Sequence, residues 1–155
     1  MTMAAGMYGL TLEKFLNVGN AASFTNGLES ETLIKTHLIQ DAYTPNFDTH
    51  AFRSSTTANE PAASGTYVLG GVVITTTELT PAAPAATQLA YTAANPAGWT
   101  GSTITARGAI TYRNVGSAAT DELVVANSFG SDVSTAGGTF TLQWNASGLF
   151  YIDYA

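Results

Sequence analysis

Few side chains in this chain could carry chemistry. His37 and His50 are the only histidines, and there is no cysteine. A nucleophile–histidine–carboxylate relay needs a base oriented by an acid and touching a hydroxyl. Serines are plentiful, but none sits in a nucleophile elbow, so His37 reads as a strand residue and His50 as a loop residue. The spacings that hold zinc, His–x–His or His-Glu-x-x-His, are absent. Asp41, Asp48, Asp121, Glu122, Asp132 and Asp153 could supply oxygen ligands for calcium. They lack EF-hand spacing and read as solvated loop carboxylates. The carboxylate pair of a glycosidase cannot be picked out by spacing alone.

Three further features have plainer readings. Gly70-Gly71 and Gly137-Gly138 do not continue into phosphate-binding motifs and read as turns or bulges. Asn145-Ala146-Ser147 matches a glycosylation acceptor, but no signal peptide is read at the N-terminus, so it reads as a turn. Trp99, Trp144, Tyr91, Tyr112, Tyr151 and Tyr154 could form a sugar-stacking face, although on alternating strands such residues more often serve a core or an interface. No catalytic residue, metal ligand or cofactor site is expected.

Composition agrees with that restraint. Only 10% of the 155 residues are charged, against about 25% in an ordinary soluble protein. Five Lys and Arg face eleven Asp and Glu, for a net charge of -6. The basic residues are scattered, which excludes a nucleic-acid footprint and a polybasic membrane patch. The uncharged stretch Leu79–Ala106 is too rich in Pro, Thr, Asn and Gly to be a membrane helix. A surface of Thr, Ser, Asn, Gly and Ala suits a protein packed against copies of itself or a large partner. A polar, uncharged coat on a secreted β-protein would look the same.

The elements that position these residues read as strands. Trp99–Arg113 has the clearest period, with Ile104, Ala106, Gly108, Ile110 and Tyr112 on one face and threonines and arginines on the other. Gly108 is its weak point, where a bulge or a close backbone approach is expected. Glu31–Gln40, Gly65–Thr77 (interrupted by the glycine pair), Gln88–Thr92, Glu122–Phe129, Thr139–Asn145 and Leu149–Tyr154 are further strands. Gly130–Gly138 reads as a loop, and Glu78–Ala86, with Pro81 and Pro84, as an exposed crossing segment. Met1–Gly9 reads as an arm or a surface segment, Leu10–Val18 as a short helix and Asp41–Glu60 as a long ordered loop. Ile110 and Trp144 are expected in the core. The fold class is all-β, an antiparallel β-sandwich or jelly-roll-like barrel with a short N-terminal helix or arm. One domain is expected over 1–155, with the arm over 1–30 and the sandwich over 31–155.

The order of several of these features resembles a group of small virion proteins of tailed bacteriophages. The resemblance is carried by Ile34–Phe52 with its Tyr43-Thr44-Pro45-Asn46 loop, by Asn59-Glu60, and by Gly65-Thr66-Tyr67 with Gly70-Gly71. It continues through Trp99, Thr103–Arg107, Tyr112, Asp121–Leu123, Gly138–Thr141, Trp144 and Gly148. It runs from about residue 31 to the end; the order is fairly specific, no single motif is, and the first thirty residues match less well. The resemblance implies a structural part of the particle, with no catalytic residues to carry over. The expectation is a capsid decoration protein on the capsid exterior, made in the host bacterial cytoplasm. Its partners would be the major capsid protein and copies of itself, a trimer favoured, with neither nucleic acid nor membrane. Minor tail protein is the alternative. Tyr43, Phe47 and Phe52 are the expected contact anchors, beside the N-terminal arm.

Overall fold

A computed structural model describes residues 3, 5–9, 28, 33–81 and 85–153. The chain is an all-β sandwich of two antiparallel sheets packed against each other. Its strands are β1 (Gly6–Met7), β2 (Ile34–Ile39), β3 (Val72–Val73), β4 (Glu78–Pro81), β5 (Gln88–Thr92), β6 (Trp99–Arg113), β7 (Glu122–Phe140) and β8 (Phe150–Asp153). The larger sheet has the order β1-β7-β6-β2-β3 and the smaller one β4-β5-β8. Both sheets are open, which decides for the sandwich over a closed barrel.

The ribbon of β6 and β7 is the spine. Its inner half is flanked on both sides: β2 pairs Ile34–Ile39 with Arg113–Gly108, and β1 pairs Gly6 and Met7 with Ala126 and Val125. There Ala109–Tyr112 and Leu123–Ala126 are buried without alternation, as strands covered on both faces must be. Over Trp99–Ala106 the alternation returns, with Ser102, Ile104 and Ala106 in and Thr103 and Thr105 out.

Several expectations change. The single inward face through Ile104, Ala106, Gly108, Ile110 and Tyr112 breaks at a register shift between Ala106 and Gly108. Ile104 and Ala106 join Trp99, Phe140 and Ala109 in one cluster, whereas Ile110 and Tyr112 join Met3, Tyr8 and Leu123 in another. At Gly108 a Cβ would run into Met3 and the Asn127 carbonyl, so the close approach is real. Gly130–Gly138 is not a loop but part of β7: Val133, Ser134, Thr135 and Gly138 find partners on β6, which these small residues do not announce, while the register shift at Ala106/Gly108 skips 129–132. Thr139–Asn145 is not a strand beyond Phe140; Leu142 is buried, and Trp144 is half-buried rather than a core residue. Ile110 is fully buried.

Gly65–Thr77 contributes only β3 as a strand, the rest being a hooked turn closed by a Ser64–Tyr67 bridge. Glu78–Pro81 is an edge strand, and Pro81 at its end needs no ladder donor. Within Met1–Gly9 the described residues are not merely a surface segment: Tyr8 is fully buried and Met3 nearly so. The helix expected at Leu10–Val18 lies outside the described residues.

Candidate functional site

β2 carries His37 into the middle of the larger sheet, opposite Ile110. Two short 3₁₀ turns, Arg53–Ser55 and Thr57–Asn59, bring the chain back over it. His37 Nε2 lies 3.2 Å from Thr56 Oγ1, and Nδ1 lies 3.3 Å from Glu60 Oε2. The order is that of a hydroxyl–imidazole–carboxylate relay, built on the histidine the sequence offered but with two partners, Thr56 and Glu60, that it did not suggest for the role. Nothing in the sequence couples Thr56 and Glu60 to His37, because the 3₁₀ turns alone create the approach.

The geometry gives these groups other work. The Thr56 hydroxyl donates to the Arg53 carbonyl at 2.8 Å. That leaves Thr56 Oγ1 as an acceptor, so His37 Nε2–H donates to it. Thr56 and His37 expose no surface, and a substrate carbonyl has no approach to the hydroxyl. Glu60 Oε1 accepts the Tyr67 hydroxyl at 2.8 Å and the Gly70 N–H at 2.6 Å. Burial pushes the Glu60 carboxyl up, but His37 and these two donors outweigh it and leave it below the ordinary carboxylate value. Burial, with the negative charge of Glu60 beside it, drives the Tyr67 hydroxyl well above the usual tyrosine range. The network thus fastens the segment from Arg53 to Gly71 onto β2. Gly71 closes it: at φ 65 a side chain there would collide with the Thr36 carbonyl.

A second node adjoins it. Asp121 is buried and holds Arg53 Nε at 3.0 Å through Oδ2. Its Oδ1 accepts the backbone N–H groups of Val115, Gly116 and Ser117. The Arg53 guanidinium lies 5.1 Å from the centre of the Tyr112 ring, whose hydroxyl donates to the Gly70 carbonyl at 2.7 Å. Burial, partly offset by Arg53, pushes Tyr112 up to about 12.

The other carboxylates scatter. Arg107 takes Asp41 and Asp132, each at 3.3 Å, and Arg113 takes Glu122 at 3.7 Å. Asp48 and Asp153 are exposed. Among the described residues no three His, Cys, Asp or Glu side chains gather to hold a metal ion.

His50 organises the loop that follows β2. Its Nδ1 accepts the Asn46 N–H at 3.3 Å and the Tyr43 hydroxyl at 2.9 Å, and Tyr8 donates to Tyr43 at 2.9 Å. Tyr43, one expected contact anchor, is therefore only 3% exposed. Phe47 is half-buried against Tyr8. Phe52, 38% exposed, is the anchor that still presents surface. Of the aromatic set, Trp99, Tyr91 and Tyr112 are core residues, Trp144 is half-buried, Tyr151 is exposed and Tyr154 lies outside the described residues. They share no face. Asn145-Ala146-Ser147 is a turn, with the Ser147 N–H on Asn145 Oδ1 and the Gly148 N–H on the Asn145 carbonyl.

Two adjoining recesses open beside the outer half of β7, where it meets the segment 141–148. One, of about 460 Å³, is lined by Phe129, Val133, Phe140, Leu142, Thr141 and Gln143. The other, of about 420 Å³, has Asn127, Ser128, Gln143 and Asn145 around Phe129 and Trp144. Among the described residues no charged side chain lines either one. Sequence reasoning missed this groove because Thr139–Asn145 reads as one strand, whereas the chain leaves the sheet after Phe140 and opens a gap beside β7.

No family model, no curated protein and no solved structure matches the chain. Among the described residues, no helix is long and apolar enough to cross a membrane.

Proposed function

We propose that the chain is a non-enzymatic structural component of a tailed-phage particle, a decoration protein that binds the major capsid protein on the capsid exterior. Sequence resemblance brings the reading to the chain. The observation that carries it further is the disposal of charge: Arg53, Arg107 and Arg113 are each tied to carboxylates of the same chain. Among the described residues the exposed positions are mostly Thr, Ser, Ala, Gly and Asn, with a few carboxylates such as Asp48, Glu78 and Asp153. A large partner can cover such a surface while desolvating few charges. The binding energy would come from burial of apolar and uncharged polar area, and it would respond weakly to salt. The shell-bound state is a closed homo-oligomer, a trimer by analogy with decoration proteins at three-fold positions, because open head-to-tail contacts would make fibres.

The test is quantitation in purified virions. A decoration protein is expected at a copy number comparable with the shell subunit, and it stays bound through a salt series. Particles stripped of it lose heat resistance, because a ligand that binds only the assembled shell stabilises it. A few copies per particle, or release by moderate salt, would refute the assignment. The groove beside Trp144 favours one second reading, a minor tail protein that touches the host surface; low copy number at the tail would select it.

A further inference from the structure

We propose that the chain of contacts Tyr8–Tyr43–His50 is a pH-sensitive latch on the N-terminal arm, closed while the His50 ring is neutral and loosened when acid puts a proton on Nδ1. The latch does not rest on the placement of the chain in a particle and holds for a head or a tail position alike.

One donor fixes the direction of every bond in it. A backbone N–H can only donate, so the Asn46 N–H, 3.3 Å from His50 Nδ1, requires a lone pair there and puts the ring proton on Nε2. Tyr43, 2.9 Å from the same nitrogen, must then donate to it, and its oxygen is left to accept the Tyr8 hydroxyl at 2.9 Å. One lone pair thus orients residues of two separate segments. The turn beneath the ring holds it in place: the His50 N–H returns to the Asn46 carbonyl at 3.0 Å, and Asn46 Oδ1 takes the N–H groups of Asp48 and Thr49, each at 3.1 Å.

The arm docks on this same loop. The Gly9 N–H donates to the Phe47 carbonyl at 2.8 Å, and the Tyr8 and Phe47 rings lie 5.2 Å apart between centres. Gly6 sits against the Phe47 ring so closely that a Cβ would come within 3.1 Å of it. β1 is two residues long, and Tyr8 adds one N–H bond to the Val124 carbonyl. So short a ladder opens easily, which gives the loop contacts their weight.

A proton on Nδ1 sets an N–H against the Asn46 N–H and takes the acceptor from Tyr43. The Tyr43 hydroxyl has to turn toward Tyr8, and Tyr8, fully buried, has to redirect its own. A docked state that requires the unprotonated ring is complete at high pH and weakens as the pH falls. His50 is half-buried, so solvent protons reach it. Its neighbours do not titrate in its place. Burial, and then the bond to Tyr43, holds Tyr8 far above the usual tyrosine range, and burial raises Tyr43 as well. Both stay neutral where an imidazole changes charge. β2, β6 and β7 meet the two tyrosines with Ile39, Ile110, Leu123, Ala126 and Tyr112, which is raised too. Among the described residues the arm carries no charged side chain. The loop carries Asp41, which Arg107 holds, and Asp48, which is exposed and screened by solvent. Glu60 ties the separate hook and titrates below 4.5.

The test is amide hydrogen exchange on the full chain between about pH 7.5 and 5, corrected for the intrinsic rate. Gly9 reads the arm, and Gly71, whose N–H donates to the Val68 carbonyl, reads the hook. Gly9 protection is expected to fall about tenfold while that of Gly71 holds. His50→Asn keeps a neutral acceptor near the place of Nδ1 and should abolish the pH dependence, whatever level of protection it sets. The ring nitrogen NMR signals of His50 give a reading that needs no variant: proton on Nε2 at the higher pH, and proton uptake that tracks the loss at Gly9. Gly9 protection flat with pH, a fall shared equally by Gly71 or by His50→Asn, or a loss displaced from His50 proton uptake would each overturn the latch.

Discussion

The inner and outer halves of the β6–β7 ribbon are the same two strands under different conditions. In the inner half, β2 and β1 flank the ribbon, and both faces of Ala109–Tyr112 and Leu123–Ala126 are covered. In the outer half, the Ser64–Tyr67 hook touches the β6 edge through Thr100 and Thr103. Among the described residues no strand pairs with the outer edge of β7 past Ala126. One face still packs, through Trp99, Ile104, Ala106 and Phe140, and side-chain hydroxyls link the two strands besides. Thr105 meets Ser134 at 2.8 Å, Ser102 meets Thr135 at 3.1 Å, and Thr103 accepts the Gly137 N–H at 3.0 Å. The contrast shows that the neighbours of a strand, more than the strand itself, decide whether it carries stability or surface.

The largest effect should come from the tie that holds the inner flank. Glu60→Ala leaves His37 buried without its carboxylate and is expected to cost about 3–5 kcal/mol in chemical denaturation. Acid should act on the same tie. The Glu60 carboxyl is held below its unfolded value of 4.5, so its contribution is complete above that pH. It is lost as the pH falls through the folded value. A melting-temperature profile against pH should therefore fall less steeply on the acid side for Glu60→Gln than for the natural chain. Identical profiles would mean that the tie contributes nothing.

The direct test of the comparison is a matched pair of truncations. Ile110→Ala, in the inner half, is expected to cost about 2–5 kcal/mol. Val133→Ala, in the outer half where the side chain is 43% exposed, should stay within about 0.5 kcal/mol. Equal losses would erase the distinction. The smallest effect is expected from the hydroxyl ladder: a double-mutant cycle on Thr105→Ala and Ser134→Ala should return a coupling of about 0.2–1 kcal/mol. A larger value would mean that the outer half is held more firmly than its exposure suggests.

What could be read in advance follows the same division. β2, β5 and most of β6 were legible because apolar and β-branched residues alternate or run together there. The irregularity at Gly108 was legible from a glycine in a strand. The continuation of β7 through Gly130–Gly138 was not, since Gly, Ser and Thr carry no hydrophobic period and the pairing is imposed by β6. Trp144 was assigned to the core by parity, but parity loses its meaning once the chain leaves the sheet after Phe140. The contact of His37 with Glu60 and Thr56 was illegible for a related reason: two short turns between β2 and the glycine pair create it, and polar residues at those turns look like any surface loop. Tyr43 illustrates the opposite error, an aromatic loop residue whose hydroxyl is claimed from inside by Tyr8 and His50.

The pairing of β1 with β7 also bears on the order of events during synthesis. Gly6 and Met7 are made long before the residues they pair with, Ala126 and Val125. Until then Tyr8 and Met3 have no Leu123 or Ala126 to pack against. β1 thus docks only once β7 has been made, and its closure waits on a contact of high sequence separation. A chain stalled before β7 would leave Met3 and Tyr8 uncovered, apolar side chains of the kind that holding chaperones bind.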